Sequence, residues 1–222
     1  MLLYSWIIIC PAGKEEDRLK TVDTVEILAI SGSPRTKGNS ISLLEEFLKG
    51  AEEKAVKGEL IVINQLDFKP CQACGACSRN GICVLKDDMQ EVHQKASKAK
   101  GIVVAAPIHF GSMSSQTKMM IDRFQAFWAA KHVLEKPRIR EEEGKIGFFI
   151  CVEGSPVKKF CHNAYDIVKV YFDILNLESR GMLCYSEVRS APPGIRANKE
   201  AVEEVYRAGM DFAEEINKRK GK

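Results

Sequence analysis

The sequence lacks the two best-known glycine motifs of nucleotide-binding proteins. Neither GxGxxG nor GxxxxGK[ST] occurs in its 222 residues, so neither a dinucleotide cradle nor a Walker A loop is supported. The formal net charge is only +3, which is too small to indicate binding to nucleic acid. Internal repeats and low-complexity segments are also missing. What is present is an ordinary globular composition, 45% hydrophobic and 28% charged, in a chain long enough for one well-packed domain.

The chain also lacks a long hydrophobic run. Its most apolar stretch, in MLLYSWIIICPAG at the N-terminus, is too short to span a bilayer. No basic residue precedes this run and no small residue directly precedes Cys10, as an export or lipoprotein signal would require. We therefore expect no membrane segment, and we interpret residues 1–20 as an extension before one domain at residues 21–222. Eight cysteines without a secretion signal favour a reducing, cytoplasmic location over a disulfide scaffold.

Apolar, strand-like segments alternate with helical patterns along the domain. The candidate strands are residues 25–30, 59–64, 101–106, 145–152 and 181–185. The candidate helices are residues 44–55, 89–99, 117–128 and 202–216, the second opened by an Asp88–Glu91 capping box. This alternation predicts an α/β fold with a doubly wound, five-stranded parallel sheet, for which the flavodoxin-like order 2-1-3-4-5 is the economical choice.

The segment SGSPRTKGNS, from Ser31 to Ser40, lies between the first strand and the first helix. Unpaired backbone N–H groups, the positive end of the helix dipole and several hydroxyls suit it to bind a terminal phosphomonoester. The alternative is a plain connecting loop, in which Ser, Gly, Pro and Asn are common. In a flavodoxin-like sheet FMN, which ends in such a phosphate, binds between strands one and three.

Two further loops follow strands at the same predicted edge. Pro107–Ser112 combines an aromatic ring, an imidazole and a glycine, which suits contact with a flat heteroaromatic ring. Cys151–Pro156 forms a third tight turn after strand four. Each loop could merely connect two elements, but three of them at one edge favour a flavin site. His109 is a candidate proton donor to reduced flavin, although a histidine without a role is the alternative.

Four cysteines lie close together in the loop at residues 70–84. Cys71, Cys74, Cys77 and Cys83 form the pattern CxxCxxCx5C, and glycines between them relax the backbone. Three closely spaced thiolates and a nearby fourth fit a [4Fe-4S] cluster, whereas structural zinc usually uses two CxxC pairs separated by a longer stretch. A loop of thiols that holds no metal is a further alternative. Cys10, Cys151, Cys161 and Cys184 are interpreted as small apolar residues.

Three segments together resemble one known family: SGSPRTKGNS, PCQACGACSRNGICVLKDDM and APIHFGSMSSQTKMMIDR. They are similar to the iron-sulfur flavoproteins, which are relatives of NADPH-dependent FMN reductases, and the resemblance covers about residues 25–215. It implies a flavodoxin-like fold, FMN, a [4Fe-4S] cluster, and a homodimer or homotetramer. It also implies a ferredoxin-like donor whose electrons pass through the cluster to FMN, which reduces a small-molecule acceptor.

The resemblance also assigns site residues. The phosphate would be held by Ser31, Ser33, Arg35, Asn39 and Ser40, with Pro34, Lys37 and Gly38 in the same loop. The isoalloxazine would be held by Pro107, Ile108, His109, Phe110, Gly111 and Ser112. Glu153 and Gly154 are further candidates for binding the ring, from the position of the third loop and not from the resemblance. The cluster would be held by Cys71, Cys74, Cys77 and Cys83.

Two rival functions fit the same sequence. One is an NAD(P)H-dependent FMN or quinone reductase whose cysteines are structural. The other is an electron carrier or redox sensor that turns nothing over. The flavin itself would carry the chemistry in each case, so no side chain is assigned as a catalytic acid.

Overall fold

The computed structural model describes residues 25–157, 159–189, 191 and 193–220, so the predicted extension at residues 1–20 and Cys10 lie outside the described residues. The strands are β1 (Ile27–Ser31), β2 (Gly58–Val62), β3 (Gly101–His109), β4 (Ser112–Met113), β5 (Ile146–Val152) and β6 (Glu178–Tyr185). The helices are α1 (Asn39–Glu52), α2 (Met89–Lys98), α3 (Ser115–Arg123), α4 (Gln125–His132), α5 (Lys159–Ile174) and α6 (Lys199–Lys220).

Five strands form a parallel sheet in the order β2-β1-β3-β5-β6, which confirms the predicted topology. A sixth, β4, was not predicted; it pairs antiparallel with the end of β3. Every residue of β1 and β5 is buried, as expected for strands covered by helices on both faces.

Side chains alternate along each strand between two hydrophobic cores. Leu28 and Ile30 of β1 point into the core beneath α2, α3, α4 and α5, whereas Ile27 and Ala29 point into the core beneath α1 and α6. Helices α1 and α6 approach so closely that a Cβ on Gly209 would lie 1.9 Å from the Phe47 carbonyl oxygen. That contact fixes α1, and with it the loop that precedes α1.

Three local predictions need correction. Helix α5 was not predicted, although Cys161, Ala164, Val168 and Tyr171 recur on its buried face at helical spacing. The predicted helix at residues 117–128 is broken at Phe124 into α3 and α4. The Asp88–Glu91 capping box is wrong, because α2 has no side-chain cap and the Asp88 carboxylate instead accepts the Asp67 amide at 2.8 Å.

The sheet register brings the candidate loops to one edge. Ser31 at the end of β1 lies opposite both Val62 of β2 and Ala105 of β3. Val152 of β5 lies opposite Pro107 of β3 and Tyr185 of β6. The loops after β1, β2, β3 and β5 therefore leave from the same, carboxyl edge. No helix within the described ranges is both long and apolar enough to cross a membrane.

Candidate cofactor sites at the carboxyl edge of the sheet

The loop after β1 is held against the start of α3. The Gly32 amide donates to the Ala105 carbonyl at 2.8 Å, and the Gly32 carbonyl accepts from the hydroxyls of Ser114 and Thr117. A Cβ on Gly32 would lie 1.8 Å from Thr117 Oγ1, so a larger residue does not fit without movement. The backbone therefore passes unusually close to α3 at this point.

The start of α1 offers backbone donors to an anion. Gly38 is the N-cap residue and supplies no side-chain cap, and no acidic residue lies in the first turn. The amides of a first helical turn have no partner inside the helix, and they lie at the positive end of its dipole. The Ser33 hydroxyl accepts the Arg35 amide at 3.1 Å, which shapes the loop before the helix. Ser31, Ser33 and Ser40 are all buried.

Asn39 is placed differently from the other residues of this loop. Its side-chain nitrogen donates to the Arg189 carbonyl at 3.1 Å, and its side-chain oxygen accepts the Ile195 amide at 3.0 Å. A Cβ on Gly194 would lie 2.2 Å from that oxygen. The amide of Asn39 thus fastens the segment before α6 to the loop, a connection that the sequence analysis missed.

A cavity of about 410 Å³ opens between the loops after β3 and β5. Its lining consists of Ile108, Phe110, Gly111, Glu153, Gly154, Ser155 and Phe160. Phe110 and Gly111 form the turn between β3 and β4, and both have positive φ, as a type I′ turn requires. The Phe110 side chain is fully exposed at the rim of the cavity. The volume lies within the range of small-molecule sites.

The structure brings five of the predicted ring-binding residues into this lining and leaves three outside it. Ile108, Phe110, Gly111, Glu153 and Gly154 line the cavity, whereas Pro107, His109 and Ser112 do not. Phe160 also lines the cavity, and the sequence pattern did not predict it because its helix, α5, was not predicted. The signal was an aromatic residue just after the turn that follows β5.

A second group of cysteines lies beside the cavity. Cys161 and Cys184 are joined by a disulfide, and the Cys151 sulfur lies within 4.8 Å of both. The interpretation of Cys161 and Cys184 as merely apolar residues is therefore wrong. Burial is the main cause that raises the pKa of the Cys151 thiol far above its ordinary value, and the negative charge of Glu153 raises that pKa further.

The loop that carries the four predicted cluster ligands packs along α4, from Gln125 to Ala130. Gly75 and Gly81 both have positive φ, and a Cβ on Gly81 would lie 3.0 Å from the Ala130 Cβ. Cys74 is exposed, and the remaining three, Cys71, Cys77 and Cys83, are half-buried. The Cys77 sulfur lies 3.9 Å from the Gln125 carbonyl oxygen.

The four thiols share one neighbourhood. Burial, and after it the charges of Cys83, Cys71 and Cys74, raise the pKa of the Cys77 thiol. In the described part of the chain, however, no three of these sulfurs lie within 4.8 Å of one another. Ligands of a single tetrahedral zinc ion lie about 3.8 Å apart. The spacing is thus wider than one ion requires.

Arg123 anchors this loop from the end of α3. The Arg123 side chain is fully buried and donates to both carboxylate oxygens of Asp87 and to the Lys69 carbonyl. Burial alone would raise the pKa of Asp87, but hydrogen bonds from Arg123 and from the Lys69 amide outweigh it and lower that pKa. The Asp87 carboxylate also accepts the Met89 amide at 3.3 Å, at the start of α2.

Helix α3 contacts both candidate sites. Thr117 in its first turn contacts the Gly32 carbonyl, and Arg123 at its end contacts the Cys83 sulfur. Six residues separate these two positions, or about 9 Å along a helix axis. One short rigid element thus links the loop after β1 to the cysteine loop.

Solved structures with the same fold include flavin proteins and oxidoreductases. The NAD(P)H:quinone oxidoreductase from Methanothermobacter marburgensis superposes with a TM-score of 0.65 at 15% identity, covering 85% of this chain and 97% of that one. A flavodoxin from the domain Archaea gives a TM-score of 0.52 at 15% identity, covering 86% and 99%. At these identities the likeness shows the fold, and it confirms the predicted flavodoxin-like class.

Curated relatives carry a more specific name. The iron-sulfur flavoprotein of Methanocaldococcus jannaschii is 36% identical over 99 residues, which cover 45% of this chain and 51% of that protein. The iron-sulfur flavoprotein of Methanosarcina thermophila is 34% identical over 131 residues, covering 59% and 64%. The chain thus spans about half to two thirds of the length of the relatives it matches.

The family match covers more than half of the chain. Residues 25–160 match the family described as NADPH-dependent FMN reductase. Together with the curated relatives, this match confirms the predicted resemblance to iron-sulfur flavoproteins. The chain belongs to the NADPH-dependent FMN reductase family.

Proposed function

We propose that the protein is an FMN-dependent oxidoreductase of the iron-sulfur flavoprotein type. It takes single electrons from a ferredoxin-like donor through a [4Fe-4S] cluster and delivers them by way of FMN to a small acceptor. The observation that carries the proposal is the shared carboxyl edge: the loops after β1, β3 and β5 and the cysteine loop after β2 all leave the sheet there.

The phosphate of FMN would lie at the start of α1. Ser31, Ser33 and Ser40 supply hydroxyls, and the uncapped first turn supplies backbone donors. Arg35, Lys37, Pro34 and Gly38 complete the loop. The close approach of Gly32 to Thr117 packs this loop against α3 and so fixes the position of the loop. In this proposal Asn39 acts mainly by positioning the loop, because the nitrogen and the oxygen of its side-chain amide both form hydrogen bonds within the protein.

The isoalloxazine would occupy the cavity beside the β3–β4 turn. Ile108, Phe110 and Phe160 offer apolar and aromatic surface, and Gly111 and Gly154 allow the backbone to approach the ring. Pro107, His109 and Ser112 support the same turn from outside the cavity lining. The exposed ring of Phe110 would then gain a partner and exclude water from one side of the flavin.

The cluster would be ligated by Cys71, Cys74, Cys77 and Cys83. They share one neighbourhood, and the CxxCxxCx5C pattern favours a cubane over a single zinc ion. Arg123 holds the loop in place and lends positive charge beside Cys83. With both cofactors bound, the cluster would supply one-electron transfer and the flavin either one- or two-electron transfer.

Anaerobic purification followed by absorption spectroscopy and assays of iron, acid-labile sulfide and zinc tests this proposal. We expect one FMN, four irons and four sulfides per chain. Stoichiometric zinc without sulfide at the four-cysteine motif would contradict it. Size-exclusion chromatography with light scattering would test the proposed homodimer or homotetramer.

A second candidate is an NAD(P)H-dependent FMN or quinone reductase, favoured by the family that residues 25–160 match. Stopped-flow reduction distinguishes the two. Rapid bleaching of the flavin by NADPH in protein that lacks iron would favour this candidate. Slow bleaching by NADPH with fast bleaching by reduced ferredoxin would favour the first. Reversible reduction with no steady-state consumption of quinone, peroxide or oxygen would indicate an electron carrier or sensor.

A further inference from the structure

We propose that Cys151, Cys161, Cys184 and Glu153 form a binding site for a single borderline-soft divalent cation, with Zn²⁺ as the best match. The site is available when the Cys161–Cys184 pair is reduced. It is separate from the four-cysteine loop, and the proposal does not depend on flavin binding.

The first argument is geometric. The three sulfurs lie within 4.8 Å of one another, although they come from the end of β5, the first turn of α5 and the end of β6. The Glu153 Oε1 atom lies 3.5 Å from the Cys161 sulfur and 4.0 Å from the Cys184 sulfur. Ligands around a tetrahedral Zn²⁺ lie about 3.8 Å apart. Small shifts would therefore bring all four donors into one coordination shell.

The second argument is the state of the Glu153 carboxylate. The Glu153 residue is only 3% exposed, and its Oε1 accepts the Ser186 hydroxyl at 3.0 Å. Its Oε2 is buried and has no hydrogen-bond partner. No ion pair between Glu153 and a basic side chain occurs in the part of the chain that the structure describes. Burying a carboxylate costs free energy unless a cation or a full set of hydrogen-bond donors compensates its charge. The neighbouring Cys161–Cys184 disulfide cannot compensate it, because a disulfide has no S–H group to donate.

The third argument is the chemistry of the donor set. Three thiolates and one carboxylate match the tetrahedral, sulfur-rich sites that select zinc over Mg²⁺ or Ca²⁺. The compact spacing suits one ion and not a cluster, in contrast to Cys71, Cys74, Cys77 and Cys83. The two groups of cysteines therefore divide into a wide site and a narrow one.

Metal binding and the disulfide exclude each other. A water-soluble phosphine breaks the Cys161–Cys184 bond and is oxidised to its oxide, with water supplying the oxygen and the two thiol protons. Zn²⁺ then displaces the protons of Cys161, Cys184 and Cys151, which pass to the buffer. An added low-molecular-weight disulfide, itself reduced to two thiols, would re-form the Cys161–Cys184 bond, which removes two of the ligands and releases the ion. Because Glu153 also lines the cavity, a bound Zn²⁺ would hold this side chain, and with it one wall of the cavity, in place.

The test is Zn²⁺ binding measured by competition with a chromophoric chelator, under anaerobic conditions. We expect the phosphine-reduced chain to bind one more Zn²⁺ than the oxidised chain. Cys151→Ser and Glu153→Gln should each weaken that binding at least tenfold. Cys74→Ser in the other motif, and Glu187→Gln at an exposed glutamate, should retain it. Co²⁺ in place of Zn²⁺ should show a thiolate charge-transfer band that Cys151→Ser weakens and Cys74→Ser keeps.

Two results would overturn the proposal. One is equal Zn²⁺ binding by the reduced and oxidised chains, or by Cys151→Ser and the parent. The other is a Cys161–Cys184 bond that resists the phosphine in the folded protein, as measured by alkylation and mass spectrometry. Glu153→Gln keeps the side-chain shape, so it tests the site even if a cysteine variant does not fold. Flavin content is not a readout, so a failure here leaves the proposed function untouched.

Discussion

Arg123 Nη2 lies 3.5 Å from the Cys83 sulfur, while the same guanidinium forms a bidentate ion pair with Asp87. One buried cation therefore joins the end of α3, the start of α2 and the last cysteine of the predicted cluster motif. The cysteine loop is held in place by this buried pair, and its geometry depends on a residue 40 positions away in the sequence.

Replacing Arg123 should release the cysteine loop. We expect Arg123→Gln to lower the free energy of unfolding by about 3 kcal/mol, because the Asp87 carboxylate loses its partner at a buried site. Iron content after anaerobic purification should fall with it. Urea denaturation measures the first effect. The control is Arg207→Gln, which breaks an exposed pair with Glu203 and should cost less than about 1 kcal/mol; equal losses in the two variants would contradict the prediction.

Stability should fall between pH 6.5 and pH 4 because of His93. This imidazole is buried against Phe124 and Phe127, and burial is the main cause that lowers its pKa to about 4. In the unfolded chain the imidazole binds a proton below about pH 6.5, whereas in the folded chain it stays neutral. The free energy of unfolding is thus highest above pH 6.5 and decreases by about 3 kcal/mol as the pH approaches 4.

The variant His93→Leu should remove that dependence. Its urea midpoint should change little between pH 7 and pH 5, while the parent loses stability over the same interval. A parent protein that is equally stable at both pH values would show that His93 takes up its proton in the folded state.

Gly32→Ala should weaken FMN binding. The added methyl group would meet Thr117 Oγ1 at 1.8 Å, so the loop after β1 must move away from α3. We expect the Kd for FMN to rise at least tenfold, or by about 1.4 kcal/mol, in a titration that follows quenching of flavin fluorescence. Gly58→Ala at the start of β2 is the matched control, because its added methyl group also meets a close neighbour, Leu48 Cδ2 at 2.3 Å, but at the opposite edge of the sheet. Similar losses in both would point to a general intolerance of the methyl group.

Phe110→Asn should affect flavin retention and leave stability unchanged. Phe110 is fully exposed and has a φ of 49°, a conformation that asparagine accepts well. We therefore expect a change below about 0.5 kcal/mol in the free energy of unfolding of the apo chain. Flavin should dissociate faster in a fluorescence-release assay. The control is Val133→Asn at another exposed apolar residue; unchanged flavin release in Phe110→Asn would remove this residue from the site.

Sequence patterns predicted the sheet well because its strands are governed by short-range rules. Uninterrupted apolar runs such as residues 145–152 identify a strand buried on both faces, and the strand–helix alternation then leaves few topologies. The same rules place the loops that begin near Ser31, Pro107 and Cys151 at one edge of the sheet.

The missed features depend on contacts between distant segments. Arg123 looks like an ordinary residue within the predicted helix at residues 117–128, and only the fold shows that it is buried against Asp87. The Asp88 carboxylate bonds Asp67 across the cysteine loop, which a local capping pattern does not reveal. Likewise, Cys151, Cys161 and Cys184 are far apart in sequence and meet only because β5, α5 and β6 are neighbours.

The hydrogen bonds from Asn39 to Arg189 and Ile195 limit where this chain can be truncated. The family match stops at residue 160. Strand β6, beyond that residue, completes the sheet, and the segment before α6 binds Asn39 at the start of α1. A fragment that ends at residue 160 would lack β6 and α6, so we expect the matched segment not to fold on its own.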